Sequence, residues 1–279
     1  MSTQQDEHVA PVEAWDAIAA DYDQFVAPGE AGLAQEALAL AALSPDHWFL
    51  DVAAGTGGLS LPAARLGARV LATDWSSAMI EHFEARAREE GLTKAEGGVM
   101  DAHRLELLDD TFDVSGSQFG VMLVADQPQA LREMVRVTKP GGRVLLIAYG
   151  SPAQFEALQF FIGALQAVVP DFPGLPDDPP PLEFQVADPE VMRQRLTDAG
   201  LRGVTVDTAH QERIEVRSGD ELWKWCLGGN PIPGLLTADL TPDQKQTMVQ
   251  VLDGMLREHC GGTWPAVLTA PLNIGVGTK

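Results

Sequence analysis

At 279 residues, 45% hydrophobic and 21% charged, the chain is long enough for one large domain and can bury a sizeable core. Its 40 acidic residues against 19 basic ones give a formal net charge of −21, which repels phosphate backbones and argues against nucleic acid as a main partner. The two cysteines, Cys226 and Cys260, match no metal or redox spacing, and no apolar run approaches a membrane span, so neither a metal nor a membrane-spanning segment is expected.

The polar start, MSTQQDEHVAP, lacks the basic flank and apolar stretch of a secretory signal, and a cytoplasmic location is the expectation. Residues 1–46 are read as N-terminal cap helices. From 47 to 150 short apolar runs alternate with helical patterns, the signature of a βαβ sheet. HWFLDVAA (47–54) is the first buried strand, and GGLSLPAARLG the helix after it, ending at Gly67. ARVLATDW (68–75) is the second strand. The next helix is capped by Ser76 or Ser77 and stopped by Gly91. GGVMDA (97–102) and FDVSGSQFG (112–120) are the third and fourth strands. A helix follows with Leu131, Met134 and Val135 on one face, and Lys139-Pro140-Gly141-Gly142 forces a turn before the fifth strand at 143–149.

After residue 150 the texture changes. Residues 151–187 read as an insertion, an apolar helix at 154–169 followed by a proline-rich extended loop. Residues 188–218 supply a helix and a single edge strand (201–216), 219–264 a second helical insertion, and 265–279 the final strand. The expectation is thus an α/β fold: seven strands in a mostly parallel sheet, helices on both faces, and a helical cap built from the insertions.

The chemistry starts with D-V-A-A-G-T-G-G at 51–58, a strand running into a glycine-rich turn and then a helix, where backbone amides can approach a ligand closely. The dinucleotide fingerprint G-x-G-x-x-G/A fits poorly, because Ser60 stands at the third position, and the G-K-[ST] of a Walker loop is absent. Asp74, ending the next strand, can accept both hydroxyls of a ribose. Trp75 either lies along an adenine or packs in the core. Asp101-Ala102, at the third strand's tip, can meet an adenine amino group and a ring nitrogen.

The ordered set DVAAGTG (51–57), Asp74, Asp101-Ala102, Phe112-Asp113, Ser117-Gln118-Phe119-Gly120 and Lys139-Pro140-Gly141-Gly142 resembles the class I S-adenosylmethionine-dependent methyltransferases, with their Rossmann-like core. The similarity is greatest to the small-molecule branch around ubiquinone and menaquinone biosynthesis, where alanine often replaces the first glycine, as Ala53 does here. The resemblance implies S-adenosylmethionine as cofactor, with Asp51, Ala53, Gly55, Thr56 and Gly57 around its methionine end. It also implies ribose binding by Asp74 and further contacts from Trp75, Met79, Asp101, Ala102, Gln118 and Phe119. W-D-A-I-A-A-D-Y-D (15–23) resembles the family's entry helix, which makes Tyr22 the residue folded over the cofactor. The helical stretch 219–262 departs from the short hairpin that usually joins the last two strands, so the acceptor is expected to be set by this chain's own insertions.

For a base or acceptor anchor, the candidates are Asp126, just past the fourth strand, and His210, in the edge strand; no catalytic residue is assigned outright. Phe155, Phe160, Phe161, Trp223 and Trp225 form either core stripes, an apolar lid or a homodimer face. The expected function is methyl transfer to the oxygen or carbon of a small apolar or aromatic acceptor. Small-amine N-methylation and a non-catalytic cofactor-binding protein are the alternatives.

Overall fold

The computed structural model describes residues 10–279, so residues 1–9 of the expected N-terminal cap segment lie outside the described residues. Five strands build the parallel part of the sheet: β1 (Trp48–Val52), β2 (Arg69–Asp74), β3 (Ala95–Val99), β4 (Phe112–Gln118) and β5 (Thr138–Tyr149). Helices α3 (Ser60–Arg65), α4 (Ser77–Glu89) and α5 (Gln127–Val137) connect them. With β6 (Arg202–Asp207) and β8 (Ala266–Thr278), the strand order is β3-β2-β1-β4-β5-β8-β6, and β8 runs antiparallel to β5. Strands β1 and β4 are buried on both faces, as parallel strands covered by helices must be. The order reverses between β1 and β4, which places a crevice at their carboxyl ends.

Four expectations shift. The edge strand expected over 201–216 is two strands, β6 (Arg202–Asp207) and β7 (Gln211–Val216), giving eight strands rather than seven among the described residues. Both pair with β8, Asp207 opposite Ile274 and Gln211 opposite Pro271. The break arises because Asp207 accepts a hydrogen bond from Ala209 N (2.9 Å), an Asx turn that redirects the chain. Strand β3 ends at Val99, short of the expected Asp101-Ala102, because Asp101 turns back to accept from His103 N (2.9 Å). The Lys139–Gly142 segment lies within β5 as a bulge, with Gly141 at φ 82° and a register shift between the partners of Phe112 and Val114. The helix of the glycine turn is only six residues long.

A main core lies on the sheet. A second one joins α6 (Glu156–Val168), α8 (Gly219–Gly229), α10 (Pro242–His259) and the first half of β8 through Phe161, Leu165, Leu222, Leu252, Leu256 and Leu268. Burying each of these leucines stabilises the cap by about 1.5–3 kcal/mol. Phe161 is therefore cap core, while Trp223 and Trp225 are only partly buried. Helix α1 (Val12–Asp21) ties the cap to the sheet by packing on both α4 and α8. Asp16 accepts from Ser76 Oγ (2.6 Å) and Ala78 N (3.2 Å) at the start of α4, and Asp23 pairs with Arg86 (2.9 Å).

Candidate active site

The turn after β1 is built on left-handed backbone: Ala53 (φ 53°), Gly55 (φ 54°) and Gly57 (φ 101°). A non-glycine residue in this region is uncommon, and Ala53 is matched across the crevice by Phe119 (φ 59°) after β4. The two turns touch. A Cβ on Gly120 would lie 2.4 Å from Ala53 O, so only glycine lets them meet. Gly57 has a packing role, since a Cβ there would lie 2.6 Å from the ring of Phe83. Below the turn, Asp51 is buried and accepts from Ser60 Oγ (2.7 Å).

Asp74 closes the turn from the neighbouring strand. Its Oδ2 accepts from Gly55 N (2.9 Å) and its Oδ1 from Ser76 N (2.9 Å), so one carboxylate links the glycine turn to the cap of α4. Burial pushes its pKa above the ordinary carboxylate value, against the opposing pull of the backbone donors.

These residues line one cavity of about 490 Å³ between the sheet edge and the helical cap. Of the expected cofactor residues, Tyr22, Asp51, Ala53, Gly55, Asp74, Trp75, Met79, Asp101, Ala102, Gln118 and Phe119 all lie on its wall. Thr56 and Gly57 do not: they sit behind the turn, Thr56 fully buried. The ring of Tyr22, on the π-helical turn after α1, faces Gly55, where an added Cβ would lie 3.7 Å from it. Trp75 is 39% exposed, which removes the core-packing alternative and places it at the rim. Asp101 is exposed and holds His103 Nδ1 (2.7 Å). Gln118 is buried, yet neither its amide oxygen nor its nitrogen has a hydrogen-bond partner among the described residues. Such an amide is costly unless a ligand completes it.

Both base candidates fall elsewhere. Asp126 is exposed, caps α5 by accepting from Gln129 N (2.9 Å) and is absent from the cavity wall. An aspartate just before a helix caps it whatever else lies nearby. His210 lies in the β6–β7 break, held by Glu36 (2.8 Å) and Asp207 (3.3 Å), and also off the cavity.

On the other wall stand Phe155, Phe161 and Trp225, three of the residues offered as an apolar lid, together with Tyr149 and Glu183, which the sequence did not single out. Tyr149, at the end of β5, stacks on Phe119 (4.6 Å between ring centroids) and donates its hydroxyl to Glu212 (2.9 Å). Phe155 continues this aromatic wall towards Trp225. Glu183, in the short turn Leu182–Phe184, brings a carboxyl to the same cavity, and burial raises its pKa. Its only sequence signal is an acidic residue between apolar neighbours at the end of a proline run. Cys226 lines the cavity too, but burial pushes its thiol up to about 12, which leaves no thiolate nucleophile near neutrality. Among the described residues no group of three His, Cys, Asp or Glu is placed to hold a metal, and no helix is long and apolar enough to cross a membrane.

The profile of the family described as a methyltransferase domain matches residues 50–146. The demethylmenaquinone methyltransferase of Streptomyces griseus is 37% identical over 142 residues, which are 50% of this chain and 60% of that enzyme. The chain spans about half the length of the first curated relatives it matches. Among solved structures, the YcgJ protein of Bacillus subtilis superposes with a TM-score of 0.57 at 19% identity, covering 90% of this chain and 97% of that one. Phosphoethanolamine N-methyltransferase 2 of Haemonchus contortus, in complex with S-adenosyl-L-methionine, gives a TM-score of 0.52 at 17% identity over 88% of this chain and 52% of that one. At such identities the structural likeness establishes the fold.

Proposed function

We propose that this chain, whose residues 50–146 match the methyltransferase-domain family and which is 37% identical to a demethylmenaquinone methyltransferase over half its length, is a class I S-adenosylmethionine-dependent methyltransferase that methylates the oxygen or carbon of a small, largely apolar and aromatic acceptor. The observation that carries this reading is a cavity with two unlike walls. One is polar and built from the glycine turn, Asp74 and Gln118; the other is apolar and built by the cap around Tyr149, Phe155 and Trp225.

The polar wall fits the adenosyl group. Asp74 retains acceptor capacity for ribose hydroxyls beyond the bonds it accepts from Gly55 N and Ser76 N, since each carboxylate oxygen can accept more than one hydrogen bond. The orphaned Gln118 amide offers both a donor and an acceptor, and the tight Ala53–Gly120 contact brings backbone within reach of a ligand. Gly55, Ala53 and Asp51 would hold the methionine end, with Tyr22 over it and Trp75 at the adenine rim. When bound, the cofactor supplies a methyl group already activated on a sulfonium, so the protein's task is to place the acceptor in line with it. Phe119 and Phe155, packed about the Tyr149 ring, would offer aromatic surface to a planar acceptor.

The test is transfer of labelled methyl from S-adenosylmethionine to a panel of phenols and hydroxyquinones. Labelled product supports the reading, and labelling of small amines alone would replace it with N-methylation.

A further inference from the structure

Glu183 has a built platform, and among the described residues no other side chain pairs with its carboxyl. Gln127, buried at the start of α5, donates to Leu182 O (2.9 Å) and Met122 O (2.6 Å), and Arg195 on α7 (Pro189–Asp198) fixes it by donating to its Oε1 (2.7 Å). On the other side, buried Asn273 donates to Ala187 O (2.8 Å) and Val186 O (3.2 Å). Two amides thus lock the backbone on both flanks of Glu183. Its turn packs on residues 121–123, directly after Gln118–Gly120. Among the described residues, only its own backbone N–H opposes the desolvation of its carboxyl.

The remaining titratable groups on the cavity wall are engaged or silent. Asp74 holds the glycine turn, Asp51 holds Ser60, Asp101 holds His103, Tyr149 holds Glu212, and the Cys226 thiol stays protonated; Tyr22 stands over the glycine turn. The charged groups on the elements behind the turn are Asp126, which caps α5, and Arg195, which is spent on Gln127.

We propose that Glu183 receives the acceptor: it accepts the hydrogen bond of an aromatic or enolic hydroxyl in the apolar half of the cavity and takes its proton during methylation. This rests on the methyltransferase reading above and narrows it to hydroxylated acceptors. The hydroxyl O–H bond breaks, its electron pair stays on oxygen and its proton goes to a Glu183 carboxylate oxygen. The acceptor oxygen forms the new bond to the methyl carbon and displaces the thioether, whose sulfur keeps the bonding pair. Glu183 then returns its proton to solvent. An apolar site makes the carboxylate a stronger base, which suits the role.

The test compares binding of 2-naphthol and 2-methoxynaphthalene to the protein saturated with S-adenosylhomocysteine, by calorimetry, for wild type, Glu183→Gln and Glu183→Leu. Wild type at about pH 8 should prefer the naphthol by roughly tenfold, the size of one charge-assisted hydrogen bond. That preference should fall as pH drops through the Glu183 titration, turn pH-independent in Glu183→Gln and vanish in Glu183→Leu. With a hydroxylated acceptor that turns over, Glu183→Gln should lower kcat by about 10² or more at little change in KM. Equal affinity for the two naphthalenes, no binding of either, an unchanged kcat, or tighter binding of 2-(aminomethyl)naphthalene would overturn the assignment. Failure of S-adenosylhomocysteine to bind any form would instead sink the methyltransferase reading.

Discussion

Asp74 is buried among backbone donors from Gly55, Trp75 and Ser76, and a bound ribose would add donors that favour its charged form. Replacing it by Asn leaves one acceptor oxygen where two are used, and the affinity for S-adenosylhomocysteine should drop by about 10- to 100-fold, the worth of one charged hydrogen bond. The pH sign follows from the raised pKa. In the free protein Asp74 holds its proton above the ordinary carboxylate range, so folding stability falls as pH rises from that range through the raised value and is level above it. A ligand that donates to the carboxylate favours the ionised form. Titrations across acid pH should therefore show affinity rising with pH and a proton released on binding; a pH-independent affinity would contradict the role. At Gly120, substitution by Ala places a Cβ against Ala53 O and should destabilise the fold by about 1–3 kcal/mol in denaturant unfolding. Residues at strand ends were legible because chain connectivity alone carries them to the crevice: Asp51, Gly55, Asp74 and Gln118 are there for that reason. Asp126 misled because cap and base look alike in sequence. Glu183 was invisible because Gln127 and Asn273, far away in the chain, put it there.

At the level of elements, the cap helices pack around a core of their own. Helix α10 begins with a reciprocal capping box, Thr241 accepting from Gln244 N (3.3 Å) while Gln244 Oε1 accepts from Thr241 N (3.0 Å). Thr241→Ala should cost about 1 kcal/mol of stability and leave S-adenosylhomocysteine affinity unchanged, because α10 supplies cap core and no cavity wall. A parallel fall in affinity would mean the two halves are coupled through α8. The parallel strands and their helices were readable from alternation and punctuation. The β6–β7 break was not, since it depends on one Asx turn and on how far β8 extends to pair with both. Nor was the length of β5, where a glycine pair reads as a turn but the neighbouring strand keeps it in the ladder.

For the whole molecule, a net charge of −21 means the folded state contends with its own repulsion. Salt screens charges beyond about 8 Å at physiological strength, so raising sodium chloride from low to moderate concentration should lift the thermal midpoint by roughly 2–5 °C. A midpoint that falls with salt would show that local ion pairs such as Asp23–Arg86 outweigh the global repulsion. The same field disfavours anionic acceptors and is neutral towards an uncharged phenol, in keeping with the apolar wall.

The account turns on one cavity holding an adenosyl group beside its acceptor. Its most direct test is calorimetric titration of the wild-type protein with S-adenosylhomocysteine and, separately, with NAD. One-to-one binding of S-adenosylhomocysteine at about micromolar affinity, with no heat from NAD, is the expected result. Silence towards S-adenosylhomocysteine, or preference for NAD, would contradict it.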